Sequence, residues 1–149
     1  MRRSSQACVI EARLLLAADG SDSPLRQAMG IAETTHDYRQ HLFVSVLQAA
    51  RPHQQCAWER FTAQGPVALL PMAQARYGSV MTVPADAVDA VAGLSDRDYL
   101  DEFQQRFGWH AGRFLRAGAR SIYPLRLRLA ERLVASRFAL LGNAAQTLH

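Results

Sequence analysis

An α+β fold, with a mixed and largely antiparallel sheet carrying two or three helices, is what three features of the chain predict. Short apolar runs follow one another between positions 41 and 83 with turn residues between them; residues 85–107 switch to a helical period; and residues 121–130 alternate with a period of two. At 149 residues and 49% hydrophobic content the chain is sized for one core, so a single domain is expected.

Taken in order, Leu14 to Ala18 is a continuous apolar run, the mark of a strand covered on both faces, and Asp19-Gly20 ends it. Ser23 is a good N-cap, Pro24 suits the first helical position and Gly30 is placed to stop the helix. His41–Leu47, Cys56–Phe61, Pro66–Leu70 and Tyr77–Val83 read as consecutive antiparallel strands. Ala85–Ala92 and Ser95–Phe107 read as helices. Ser95 with Asp98 forms a variant capping box, Tyr99, Phe103 and Phe107 share a face as a core stripe, and Gly108 closes the second helix. Ser121 to Ala130 is a long strand with an arginine-bearing face, and Leu133-Val134 and Phe138–Leu141 are short strands. Gly142 then makes a turn into what reads as the first residues of another helix, over Ala144–His149.

Composition narrows the function classes. No apolar stretch is long enough to span a bilayer, and Met1–Gln6 is too short and polar for a secretory signal, which predicts a cytoplasmic location. Cys8 and Cys56 are too few for a disulfide framework and are expected as reduced, core or half-buried thiols. All 17 basic residues are arginines, against 13 acidic residues, for a net charge of +4. They are spread along the chain and form no basic block, so nucleic acid is not the expected partner. His53-Gln54-Gln55-Cys56 has half of a zinc-ligand spacing with no second pair, and no serine sits in a Gly-x-Ser-x-Gly elbow, so neither metal binding nor hydrolysis is supported.

Two segments do carry chemistry. Both Ala17-Ala18-Asp19-Gly20-Ser21-Asp22-Ser23-Pro24-Leu25-Arg26 and Leu141-Gly142-Asn143-Ala144-Ala145-Gln146-Thr147-Leu148-His149 have the strand, glycine turn and helix layout by which α/β proteins bring backbone N–H groups to a nucleotide phosphate. The first resembles the Asp-Gly fingerprint of the FAD-dependent aromatic hydroxylases, the p-hydroxybenzoate-hydroxylase-like flavin monooxygenases. The second resembles that family's other flavin motif, with Asn143 in place of the usual Asp. The Asn143 and Gln146 variant, with Cys56-Ala57-Trp58-Glu59-Arg60-Phe61, Ala68-Leu69-Leu70-Pro71 and Tyr123-Pro124-Leu125, is similar to the ubiquinone-biosynthesis branch, which hydroxylates polyprenylated phenols. The resemblance covers nearly the whole chain. The family's Gly-x-Gly-x-x-Gly unit does not occur in it, so the chain is expected to be a middle segment of such an enzyme.

The resemblance implies the substrate-binding domain of the p-hydroxybenzoate-hydroxylase-like fold without the two halves of the flavin domain. Residues 7–34 would be the edge of the flavin-binding region, 35–130 the substrate-binding sheet and helices, and 131–149 the return to the flavin region. It implies FAD in the complete enzyme, with NAD(P)H as reductant, and a segment that by itself is inactive and holds little FAD. Asp19, Gly20, Ser23, Arg26, Gly142 and Asn143 would contact the cofactor. The start of the helix capped by Ser23 and the charge of Arg26 both favour an anion. No catalytic side chain is required of this chain, since the cofactor supplies the oxidising power. Trp58, Leu70, Pro71 and Tyr123 would form the substrate face. Partners would be the polyprenylated phenol, a second copy or other ubiquinone-biosynthesis proteins, and possible contact with the periphery of the inner membrane. Two other readings stand beside this one: a non-catalytic domain that self-associates through exposed apolar surface, and an anion- or nucleic-acid-binding domain using the arginine face of 120–128.

Overall fold

The computed structural model describes residues 9–148. In chain order the elements are β1 (Leu15–Ala17), α1 (Pro24–Ala28), β2 (Glu33–Ala49), β3 (Trp58–Arg60), β4 (Val67–Met72), β5 (Arg76–Pro84), α2 (Val88–Ala92), α3 (Asp96–Phe107), β6 (Phe114–Ala117), β7 (Ser121–Ala130), β8 (Val134–Ala135), β9 (Phe138–Leu140) and β10 (Gln146–Thr147). The α+β class is as expected. Within it the chain divides into two compact units, one of residues up to 36 with those from 126 onward, the other Asp37–Leu125. The reason is that the chain's two ends build a core of their own from Ala17, Ile31, Phe138, Leu140, Ala144 and Ala145.

The larger unit is a twisted antiparallel sheet with β5 between β2 and β4, β3 at the edge, and β6 and β7 beside β2. Side chains alternate across a sheet, so register assigns each to a face. Phe43, Met81 and Val67 line up on one face, as do Leu47 and Tyr77. They are buried under the α3 stripe of Tyr99, Phe103 and Phe107 and under Phe114. Phe103 meets Phe114 edge to face at 5.0 Å, a favoured aromatic geometry. Gln104 satisfies its buried amide by donating to Gly108 O at 2.6 Å and accepting from Phe114 N at 3.0 Å, which fixes the end of α3 to β6. Ser95 caps α3 as read, its Oγ accepting from Asp98 N, while the Asp98 carboxylate accepts from the Ser95 hydroxyl.

The opposite face carries Val44, Val80 and Ala68 in one row and Val46, Gly78 and Leu70 in the next. These side chains are half-buried or exposed.

In the smaller unit β1 pairs parallel with β9, which pairs antiparallel with β8; β10 pairs with the Arg128–Leu129 end of β7. Three expectations need correction here and in the loop before β3. Leu14, Leu15 and Leu16 are exposed rather than covered on both faces, because β1 is the edge of its sheet and only Ala17 reaches the core. Residues beyond Gly142 form a single 3₁₀ turn and then β10 in place of a helix, since Gln146 and Thr147 find ladder partners on β7. Cys56 is exposed in a turn, and Cys8 lies outside the described residues.

Candidate functional site

The two motif segments, far apart in sequence, come together. Because β1 and β9 are adjacent and parallel, in register from Leu15 with Phe138 to Ala17 with Leu140, both release their turns at the same edge of the sheet. That carboxyl edge is where parallel sheets receive nucleotide ligands. Further ties join the turns: Leu141 N donates to Ala17 O at 2.8 Å, and the hydroxyls of Ser21 and Thr147 are 2.8 Å apart.

Glycine is demanded at both turns by the backbone. Gly20 has φ +92° and Gly142 φ +55°, and a Cβ built at either meets nothing within 4 Å. The turns therefore combine left-handed backbone with open space beside it, the arrangement that lets a ligand approach the main chain closely. Asn143 is exposed at the same edge.

Ser23 sits at the centre of the first turn and is fully buried. Its Oγ donates to Asp19 Oδ1 at 2.6 Å and accepts from Arg26 N at 2.9 Å, while Asp19 Oδ2 accepts from Leu25 N at 3.1 Å. The Ser23 hydroxyl is the main reason the Asp19 carboxyl is held below its ordinary range, so this side chain is ionised at neutral pH. An ionised carboxylate repels phosphate and suits hydroxyl donors.

Arg26, 3% exposed, donates through Nη1 to Ser21 O at 3.0 Å and Ala144 O at 3.2 Å, and its Nη2 pairs with Glu33 Oε2 at 2.7 Å. The donors that the sequence offers to an anion, the Leu25 and Arg26 amides and this guanidinium, thus already have acceptors within the protein. Glu33 extends the pattern: its Oε1 accepts from Arg128 Nε at 2.9 Å, and Arg128 Nη1 pairs with Asp22 Oδ1 at 2.6 Å. Sequence reasoning passed over Glu33, which lies in the polar stretch Glu33–Gln40 without a period to mark it. One of the alternative readings also used Arg128 as part of the arginine face of 120–128. Arg120 is likewise engaged, with Leu94 O at 2.8 Å and the Tyr99 ring, so at these two positions the arginine face is bound up in the fold.

The four residues read as a substrate face lie in the larger unit, and register separates them. Trp58 pairs with Leu69 and Pro71 with Tyr77, which puts them on the helix-covered side, whereas Leu70 pairs with Gly78 on the open side. Trp58 is 39% exposed at the sheet edge and stacks on His110 at 5.6 Å; Tyr123, on β7, is 54% exposed. No cluster of three or more potential metal ligands occurs among the described residues, nor any helix long and apolar enough to cross a membrane.

Comparison with known proteins fits this geometry. The chain is 37% identical over 145 residues to the ubiquinone hydroxylase UbiL of Rhodospirillum rubrum, covering 97% of this chain and 34% of that protein. It is 32% identical to the ubiquinone hydroxylase UbiM of Neisseria meningitidis, covering 95% of this chain and 31% of the relative. The chain thus spans about a third of the length of the curated relatives it matches. Among solved structures, PqsL of Pseudomonas aeruginosa, a probable FAD-dependent monooxygenase, superposes with a TM-score of 0.73 at 21% identity, over 92% of this chain and 40% of that one. The flavin-dependent halogenase CmlS superposes with a TM-score of 0.72 at 17% identity, over 97% and 28%, so the two share the fold. With a family model matching residues 1–149 throughout and its two glycine turns meeting at one sheet edge, the chain belongs to the FAD binding domain family.

Proposed function

We propose that this chain is part of an FAD-dependent monooxygenase that hydroxylates a polyprenylated phenol in ubiquinone biosynthesis, using NAD(P)H as reductant and O₂ as oxidant. The observation that carries the reading is the meeting of the Asp19-Gly20 and Gly142-Asn143 turns at the carboxyl edge of two parallel strands, in a chain similar to ubiquinone hydroxylases. Open space beside both glycines and an exposed amide at Asn143 suit the polyhydroxylated and phosphate part of FAD.

In this reading Gly20 and Gly142 let the cofactor reach the main chain, Asn143 and Asp19 take hydroxyl groups, and Ser23 and Arg26 hold the turns in shape. The flavin supplies the oxidising chemistry when bound. The protein's part is to orient the ring and keep water from it. In the larger unit the open sheet face of Val44, Val46, Ala68, Leu70 and Val80 offers an apolar wall to the substrate, with the exposed Tyr123 as a further candidate contact, whereas Trp58 and Pro71 lie on the helix-covered side. A polyprenyl substrate would draw a cytoplasmic enzyme to the membrane periphery, and the exposed Leu14, Leu15 and Leu16 support self-association or docking to other proteins of the pathway.

The experiment is a visible spectrum, with added FAD, of the purified complete enzyme that carries this segment, followed by NAD(P)H oxidation with and without a polyprenylated phenol. Bound flavin and phenol-dependent oxidation are expected. A protein that neither binds FAD nor oxidises NAD(P)H sinks the reading.

A further inference from the structure

We infer that Glu33 is a positioning residue for the cofactor: by bridging Arg26 and Arg128 it fixes the spacing of the two turns, and Arg26 serves the site as a brace and not as an anion ligand. The inference rests on the FAD reading above.

The Glu33 carboxylate stands between two guanidinium groups. Its Oε2 takes Arg26 Nη2 at 2.7 Å and its Oε1 takes Arg128 Nε at 2.9 Å. Each arginine then reaches a turn. Arg26 Nη1 holds the carbonyls of Ser21 in the first turn and Ala144 in the second, and Arg128 Nη1 holds Asp22. Among the described residues Arg26 is thus the side chain bonded to both motif turns and to Glu33 at once, and its burial at 3% exposure leaves it little access to solvent. The planar fork of arginine is required for three acceptors in different directions; a lysine ammonium on its flexible stem does not reproduce it. The charges of Arg26, Arg128, Glu33 and Asp22 cancel within the group, so it adds no net attraction for an anionic cofactor.

Two roles for this group predict opposite signs. If Arg26 binds the pyrophosphate directly, removing the neighbouring negative charge with Glu33→Gln frees the guanidinium and tightens FAD. If Glu33 positions the turns, the same change places an amide N–H against one arginine, releases the brace and weakens FAD.

The test is FAD titration by flavin fluorescence on the complete enzyme that carries this segment, with Glu33→Gln and Arg26→Lys, together with visible circular dichroism of the flavin at saturation and a thermal melt of each apoprotein. Expected are at least a tenfold rise in Kd for both variants and an altered flavin dichroism at saturation, which a loss of stability alone does not produce. Unchanged or tighter binding by Glu33→Gln overturns the inference, and so does wild-type affinity in Arg26→Lys. Should Glu33→Gln fail to fold, Arg26→Lys decides by itself. A wild type that binds no FAD overturns the functional reading and this inference with it, whereas a wild type that binds and variants that match it overturn the inference alone.

Discussion

The carbonyl oxygen of Ala17 accepts the amide hydrogen of Leu141 at 2.8 Å, so the last rung of a parallel ladder lies immediately before both glycine turns. The positions of Gly20 and Gly142 are therefore set by the sheet, while their shapes are set by backbone angles that few residues tolerate.

Gly20→Ala is expected to destabilise the protein by about 1–2 kcal/mol through the forced positive φ, since no neighbouring atom obstructs a methyl group there. At Gly142, with φ +55°, asparagine should be better accepted than valine by about 1 kcal/mol. Thermal melts of the three variants check both statements; equal losses for Asn and Val would mean that the turn relaxes.

Asn143 tests the second motif. Asn143→Asp keeps an acceptor for a ribityl hydroxyl and should leave FAD affinity within about tenfold, or roughly 1.4 kcal/mol. Asn143→Leu keeps the bulk, leaves that hydroxyl unpaired and should cost about 1–3 kcal/mol in a flavin titration. Leu binding as well as Asn would make this segment a structural turn only.

Burial pushes the Tyr99 phenol up to about 12, so the folded protein keeps its proton where the unfolded chain, near 10, has lost it. Stability from this group is fully present below pH 10 and falls as pH rises towards 12, by up to about 1.4 kcal/mol per pH unit. Urea melts at intervals from pH 9 to pH 12 should show that fall in the wild type and a shallower one in Tyr99→Phe. Parallel profiles would remove Tyr99 as the cause.

Phe103→Ala removes a ring packed between Tyr99, Phe107 and Phe114 and is expected to cost about 3–5 kcal/mol. Trp58→Ala, at an exposed sheet edge, should cost about 1 kcal/mol or less. Chemical denaturation measures the difference; similar losses would place Trp58 in the core.

Much of this was legible in the sequence where the cause is local. Ser23 before Pro24, Ser95 three residues ahead of Asp98, the four-residue spacing of Tyr99, Phe103 and Phe107 and the alternation of 121–130 each depend on near neighbours, and each appears as read. What escaped depends on distant partners. Glu33–Gln40 is too polar to show a strand period, yet it is the first half of β2. The Glu33 bridge joins residues from three separate segments, and no pattern in any of them marks it. The burial of Leu14–Leu16 depends on whether a second strand flanks β1, which its own apolar run does not reveal.

Along β5, successive residues answer to different masters. Met81 faces a full core in which a gain or loss of one methylene is felt, whereas Val80 looks onto an open face where a change of shape alters only what lies against it. The same holds for Phe43 beside Val44 and for Leu69 beside Leu70. If the open face is the substrate wall proposed above, ligand preference and folding are written in alternate letters of the same strands, and the wall can change residue by residue while the helix-packed side stays intact.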